Sequence, residues 1–281
     1  MTLTDALRQA AAAGLDRLDA QMLLLFSLGR DPNARAWLSA HDDQVLSADQ
    51  ERLFEQLCRR RAQGEPLPYL TGTKEFFGLP LKVDGRVLVP RPDTETLVLW
   101  AMDVVDAATE RSSIPLRALD LGTGSGAIAL ALKSSRPHTH VWATDASPEA
   151  LAVAQANAEA LHLAVSFRLG HWLAAVPGER FDLILSNPPY IKTNDPHLAQ
   201  LQHEPFSALV SGPDGLDDLR HLIAEAPSFL VPGGWLLLEH GHDQAGPVRD
   251  LLERAGFEVV TSRTDLAGIE RCSGGQWPEQ R

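Results

Sequence analysis

The chain has 281 residues, 44% of them hydrophobic, which is enough for one large domain and a smaller one. A formal charge of -12 argues against affinity built on a nucleic-acid phosphate backbone, so direct nucleic-acid binding is not expected. The two cysteines, Cys58 and Cys272, are too far apart in sequence for a disulfide framework or a metal-ligand spacing; with no signal pattern and an apolar stretch, 22–28, too short to cross a bilayer, a cytoplasmic protein off the membrane is expected.

Residues 1–72 read as an all-helical domain. Leu15, Leu18, Met22 and Leu25 recur at helical spacing, and Gly29 follows as a stop. Asp31-Pro32 offers a cap and a first-turn proline for the next helix. Ser47 and Gln50 form a capping box ahead of Leu53, Phe54, Leu57 and Cys58. Arg59, Arg60 and Arg61 then face the helix C-terminal carbonyls; a solvated helix end explains them, and contact with a partner's RNA or acidic face is the other reading.

Residues 73–92 read as a β-hairpin linker. Leu81 and Val83 precede Asp84-Gly85, Val87 and Val89 follow it, and that alternation predicts a turn at Asp84-Gly85. In Arg91-Pro92-Asp93-Thr94-Glu95, Asp93 or Thr94 can cap a helix over 96–107.

Residues 93–281 form the third part. A strand over 116–121 runs into Gly122-Thr123-Gly124-Ser125-Gly126 and a helix over 127–133. Glycines between a strand and a helix let a ligand approach the backbone and the helix N-terminal N–H groups. Asp145 ends the next strand, 141–144, about twenty residues past the last glycine, where a carboxylate takes ribose hydroxyls or caps the helix that starts near Pro148. This much also fits a nicotinamide enzyme. After a helix over 149–161 and a strand over 165–169 comes Trp172, suited either to core packing or to flanking an adenine.

A fourth strand, 181–185, leads into Asn187-Pro188-Pro189-Tyr190. The Asn187 amide and the Pro188 carbonyl, which has no neighbouring N–H to compete for it, make a socket for a planar NH2 group. An isolated Asn-Pro-Pro would be a turn cap. Beside a nucleoside-binding loop on the same sheet edge, it has no use in hydride transfer and a clear one in methyl transfer to nitrogen.

These residues resemble the peptide-chain release factor glutamine methyltransferases. The resemblance spans Arg59-Arg60, Gly64-Glu65-Pro66, Tyr69, Gly72, Pro90 to Glu95, Asp120 to Gly126, Asn187 to Ile191, Glu204-Pro205, Ala208-Leu209, Gly212, Asp214-Gly215-Leu216 and Glu239-His240-Gly241. It implies an α/β, Rossmann-like seven-stranded S-adenosylmethionine-dependent methyltransferase domain. A small helical substrate-recognition domain precedes it. It also implies cofactor contacts from Gly122, Thr123, Gly124, Ser125, Gly126, Asp145, Trp172 and Asn187, with Asn187, Pro188, Pro189 and Tyr190 binding the glutamine of class I release factors. His171 departs from the pattern, where an acidic or small residue is more usual. A ribosomal-protein glutamine methyltransferase, an adenine amino-methyltransferase and a non-catalytic adaptor are the competing readings.

Farther on, a helix over 216–230, a turn at Pro232-Gly233-Gly234, a strand over 235–239, a helix over 243–254, and strands over 257–261 and near 268–272 would complete the sheet, the last one antiparallel. His240 and His242 beside Glu239 have no third ligand at sensible spacing, so no metal is expected. Gly274-Gly275-Gln276 repeats the motif that this family methylates, by coincidence or as a self-substrate.

Overall fold

The computed structural model describes residues 1–111 and 114–279. Two compact units emerge, Met1–Thr73 and Lys74–Arg281. Among the described residues no helix is long and apolar enough to cross a membrane.

The first unit holds five helices: α1 (Leu3–Ala12), α2 (Arg17–Ser27), α3 (Arg35–Ala40), α4 (Ala48–Ala62) and α5 (Leu67–Thr71). Leu23, Leu24, Leu25, Phe54 and Leu57 are buried in its core. The Ser47–Gln50 capping box forms in both directions, and Gly29 follows the end of α2 with a φ of 67°. Asp31 does not cap a helix: its carboxylate accepts the Asn33 N–H at 2.8 Å in a local turn, and α3 starts only at Arg35 without a side-chain cap. The arginine run is committed within its own unit. Arg60 makes a two-point ion pair with Glu65, and Arg61 Nε donates to Asp19 at 2.6 Å.

In the second unit the hairpin exists, but its turn lies elsewhere than expected. Strands β1 (Thr73–Phe76) and β2 (Leu79–Lys82) meet at Phe77-Gly78, whose φ values of 51° and 77° match the twist of a tight hairpin. Asp84 instead accepts the Arg86 N–H and ion-pairs with the Arg86 guanidinium, which folds 83–86 back on itself. Val83, Val87 and Val89 are buried although no ladder forms there, so their alternation reports burial rather than strand.

The main sheet takes β3 (Arg117–Leu121), β4 (His140–Asp145), β5 (Ser166–Leu169), β6 (Phe181–Ser186), β7 (Leu230–Glu239), β8 (Glu258–Thr264) and β9 (Glu270–Gln276), in the order β5-β4-β3-β6-β7-β9-β8. The five strands from β5 to β7 are mutually parallel, and β9 pairs antiparallel with both β7 and β8. Helices α6 (Glu95–Arg111), α7 (Ala127–Ser135), α8 (Pro148–Ala160), α9 (Asp217–Glu225) and α10 (Ala245–Arg254) cover it. Alternate strand residues feed opposite cores: Leu183 and Leu185 join Val98 and Ile128, whereas Ile184, Leu119 and Leu121 join Leu219 and Val248. A sheet buried on both faces needs such apolar runs. Its order reverses between β3 and β6, and ligands of open parallel sheets bind at that kind of crevice.

Gly274-Gly275-Gln276 lies inside β9, opposite Leu237, Leu236 and Trp235. Gln276 donates its side-chain NH2 to the Gly233 carbonyl at 2.8 Å, holding the irregular start of β7. It sits toward the N-terminal ends of the parallel strands, away from the edge where the glycine loop opens, so its role is structural. Pro232-Gly233-Gly234, expected as a turn before the strand, lies in a bulge inside β7 instead, with Phe181 facing Leu230 and Leu183 facing Trp235.

Candidate active site

Each of the five parallel strands delivers a polar or aromatic group at its C-terminal end. From β3 comes the loop from Gly122 to Gly126, whose three glycines all have positive φ. The Gly124 N–H donates to Asp145 Oδ2 and the Ser147 N–H to Asp145 Oδ1, both at 2.9 Å. The end of β4 therefore holds the glycine loop open and its own helix in place. Each carboxylate oxygen keeps a further lone pair for a hydroxyl. Beyond β5, Trp172 adopts a φ of 47° and lays its ring so close to Gly122 that a Cβ there would stand 3.0 Å from it. The indole Nε1 is buried and has no hydrogen-bond partner among the described residues.

A cavity of about 260 Å³ opens at this edge, lined by Gly122, Gly124, Asp145, Trp172, Asn187 and Pro189 among others. Thr123, Ser125 and Gly126 do not line it. Thr123 donates its hydroxyl to buried Asp120 at 2.7 Å, and the Ser125 carbonyl accepts from Asn157 at 2.9 Å, so these two residues shape the loop from behind. Asp120 also takes the Ala129 N–H at 3.2 Å, while its other oxygen has no partner among the described residues. Burial pushes its carboxyl up to about 7, against the pull of those two donors.

Behind Asn187 lies a second cavity of about 90 Å³, lined by Leu88, Arg91, Asn187, Tyr190, Ile191, Leu201, Ala208 and Leu209. Asn187 is thus a wall common to both spaces, as are Leu88 and Ala208. Ser186 Oγ donates to the Leu121 carbonyl at 2.8 Å, tying the end of β6 to the end of β3. Gln244 donates to the Tyr190 carbonyl at 3.1 Å and secures the far end of Asn187-Pro188-Pro189-Tyr190. Pro188 is buried and is not among the residues that line either cavity. Burial raises the Tyr190 hydroxyl above its ordinary range, which keeps it neutral.

Several lining residues are not among the contacts expected from the sequence. Arg86, Val87 and Leu88 come from the segment after the hairpin, and Pro205, Ser207 and Ala208 from the loop between β6 and α9. His171 lines the cavity too, its ring 5.6 Å from that of Trp172. Glu204 is buried, ion-pairs with Arg91 at 2.5 Å and accepts the Val89 N–H at 3.1 Å, binding these two segments together. The sequence signal for them was the segment resemblance at Pro90 to Glu95 and Glu204-Pro205, which carries no chemistry of its own. Thr94, expected as a possible helix cap, points elsewhere: its hydroxyl accepts the Asn187 side-chain NH2 at 3.2 Å. Helix α6 follows a short 3-10 turn, Pro92–Thr94, with no side-chain cap on that turn. His240 is buried between the Gly241 carbonyl and Ser273 Oγ, and burial lowers its basicity. Among the described residues no group of three or more His, Cys, Asp or Glu side chains converges to hold a metal ion.

Comparison with known proteins places this geometry. The methyltransferase small domain family matches residues 102–259, and the PrmC N-terminal domain family matches residues 2–72. A release factor glutamine methyltransferase of Xylella fastidiosa is 50% identical over 276 residues, covering 97% of this chain and 98% of that protein. One of Burkholderia pseudomallei is 47% identical over 276 residues, covering 95% and 94%. Among solved structures, a methyltransferase from Pyrococcus furiosus aligns with a TM-score of 0.53 at 20% identity, over 73% of this chain and 91% of that one, which is a likeness of fold.

Proposed function

The chain belongs to the release factor glutamine methyltransferases, and from this we propose that it methylates the side-chain amide nitrogen (N5) of the glutamine in the Gly-Gly-Gln motif of class I peptide-chain release factors, with S-adenosyl-L-methionine as donor. It acts in the cytoplasm, in support of translation termination. The observation that carries this reading is the place of Asn187, between a cavity lined by the glycine loop and Asp145 and a smaller one lined by Arg91 and Tyr190.

The larger cavity suits the donor. Gly124 lines it, and within 4 Å of a Cβ built there nothing stands, so a ligand can approach the backbone. Asp145 would hold the ribose hydroxyls, and Trp172 would flank the adenine. When bound, S-adenosylmethionine supplies a methyl group already activated by its sulfonium.

A carboxamide nitrogen is a poor nucleophile because its lone pair is delocalised into the carbonyl. Alignment is therefore the protein's main contribution, and orientation of this kind supplies on the order of 7–11 kcal/mol in the best cases. Asn187 Oδ1 and the Pro188 carbonyl accept the two N–H bonds of the substrate amide, fixing its plane and favouring the positive charge that develops on nitrogen. Tyr190 walls the glutamine side chain and excludes water.

The test is mass spectrometry of an unmodified class I release factor after incubation with the protein and S-adenosylmethionine. One added methyl on the Gly-Gly-Gln glutamine, lost with Asn187→Ala, supports the assignment. No methyl on a competent substrate turns it toward ribosomal-protein or nucleic-acid acceptors.

A further inference from the structure

Two segments singled out in the sequence, Glu204-Pro205 and Ala208-Leu209, bracket an aromatic residue that has no part in the chemistry above. Phe206 is 65% exposed. Its neighbours Pro205, Ser207 and Ala208 line the larger cavity, and Ala208 lines the smaller one as well, whereas Phe206 is not among the residues that line either. The ring therefore stands in solvent at the rim that the two cavities share.

Single apolar side chains on a surface are common and need no explanation. This one is distinguished by its mounting. It opens the 3-10 turn Phe206–Ala208, in which the Ala208 N–H donates to the Pro205 carbonyl at 2.9 Å. Ahead of the turn, buried Glu204 accepts the Val89 N–H and pairs with Arg91. Behind it, the Leu209 carbonyl accepts the Ile191 N–H and the Ser211 N–H donates to the Ile191 carbonyl, both at 2.9 Å, which stitches the segment to the residue after Asn187-Pro188-Pro189-Tyr190. A ring held out on a backbone fixed on both sides buries area on a partner with little loss of conformational freedom, which suits it to anchor an interface.

We propose that Phe206 is a specificity-determining residue for the methyl acceptor, its ring packing on the backbone of the glycines beside the target glutamine. This rests on the Gly-Gly-Gln reading above. The occupant follows from continuity with the acceptor site: a glutamine side chain is short, so one that reaches Asn187 past this rim brings its own flanking backbone against the rim. Glycine has no Cβ, and an aromatic ring can lie flat on its peptide plane. An alanine in the same place would hold the ring off by a methyl group.

The experiment measures methylation of a full-length class I release factor by the wild type, Phe206→Ala and Phe206→Tyr, all full length. Leu99→Ala serves as control, since Leu99 is another exposed apolar residue and is not among those that line either cavity. Each enzyme is also given acceptors in which one or the other glycine of Gly-Gly-Gln is alanine, and cofactor affinity is followed by calorimetry. Phe206→Ala should raise KM for the natural acceptor on the order of tenfold, with kcat and cofactor affinity nearly unchanged. Phe206→Tyr should restore KM, and Leu99→Ala should not move it. Alanine at a glycine should raise KM for the wild type and do so less for Phe206→Ala, the shortfall measuring the contact between ring and glycine. An unchanged KM in Phe206→Ala, additive effects at both glycines, or a loss of cofactor affinity that makes the ring a cap on the donor overturns the proposal and leaves the methyl transfer standing. If the alanine acceptors are not turned over, KM for the natural acceptor decides it. A wild type that does not methylate the release factor sinks the substrate assignment and this inference together.

Discussion

Asn187 and Asp145 stand at the ends of different strands, and their substitutions should separate binding from turnover. Asn187→Ala removes the acceptor for the substrate NH2 while leaving the glycine loop and Asp145 as they are. Turnover should drop on the order of a hundredfold while calorimetric affinity for the cofactor stays within a few-fold. Asp145→Ala should do the reverse, because it removes the ribose acceptor and also frees the Gly124 and Ser147 N–H groups that it now ties. Charge-assisted hydrogen bonds are worth about 1.5–3 kcal/mol each, so cofactor affinity should weaken at least tenfold in the same calorimetric titration. Both proposed roles were legible in the sequence as expectations, since an acid at the end of the strand next to the glycine-loop strand and an Asn-Pro-Pro-Tyr are specific in type and place. The roles of Thr123 and Ser125 were not. A motif says that a loop binds, but which of its side chains face the ligand depends on backbone angles that the residue names do not carry.

At the level of strands and helices, β9 shows how far a motif can mislead. Gly-Gly-Gln in this chain is there because two strands leave no room for a side chain: a Cβ on Gly274 would stand 2.7 Å from the Leu236 carbonyl and 2.5 Å from Leu237. Gly274→Ala should therefore destabilise the protein by about 1–3 kcal/mol, read as a lower denaturation midpoint, with no methyl found on Gln276 in either protein. The parallel strands were visible as short apolar runs, and the capping box of α4 as a fixed spacing. The hairpin turn was misplaced because alternating valines satisfy burial as well as pairing. Phe77-Gly78 gave little warning, since a bulky residue seldom takes positive φ.

Across the molecule, the two units each bury a core of their own. Deletion of residues 1–72 should leave cofactor binding close to wild type and reduce kcat/KM on the release factor on the order of tenfold or more, equivalent to about 1.4 kcal/mol, if the helical unit recognises the substrate protein. A short Gly-Gly-Gln peptide should show a smaller difference in the same assay. The division into a helical front and a glycine-loop sheet follows from local signals, as do the proposed donor half-site and NH2 socket: spacing, caps, glycines and prolines, whose effects act within a few residues. The hydrogen bond from the Asn187 amide to the Thr94 hydroxyl follows from none of these. Its two members lie 93 residues apart in the sequence. A hydrogen bond at such a distance in sequence arises only when folding brings donors and acceptors together out of water.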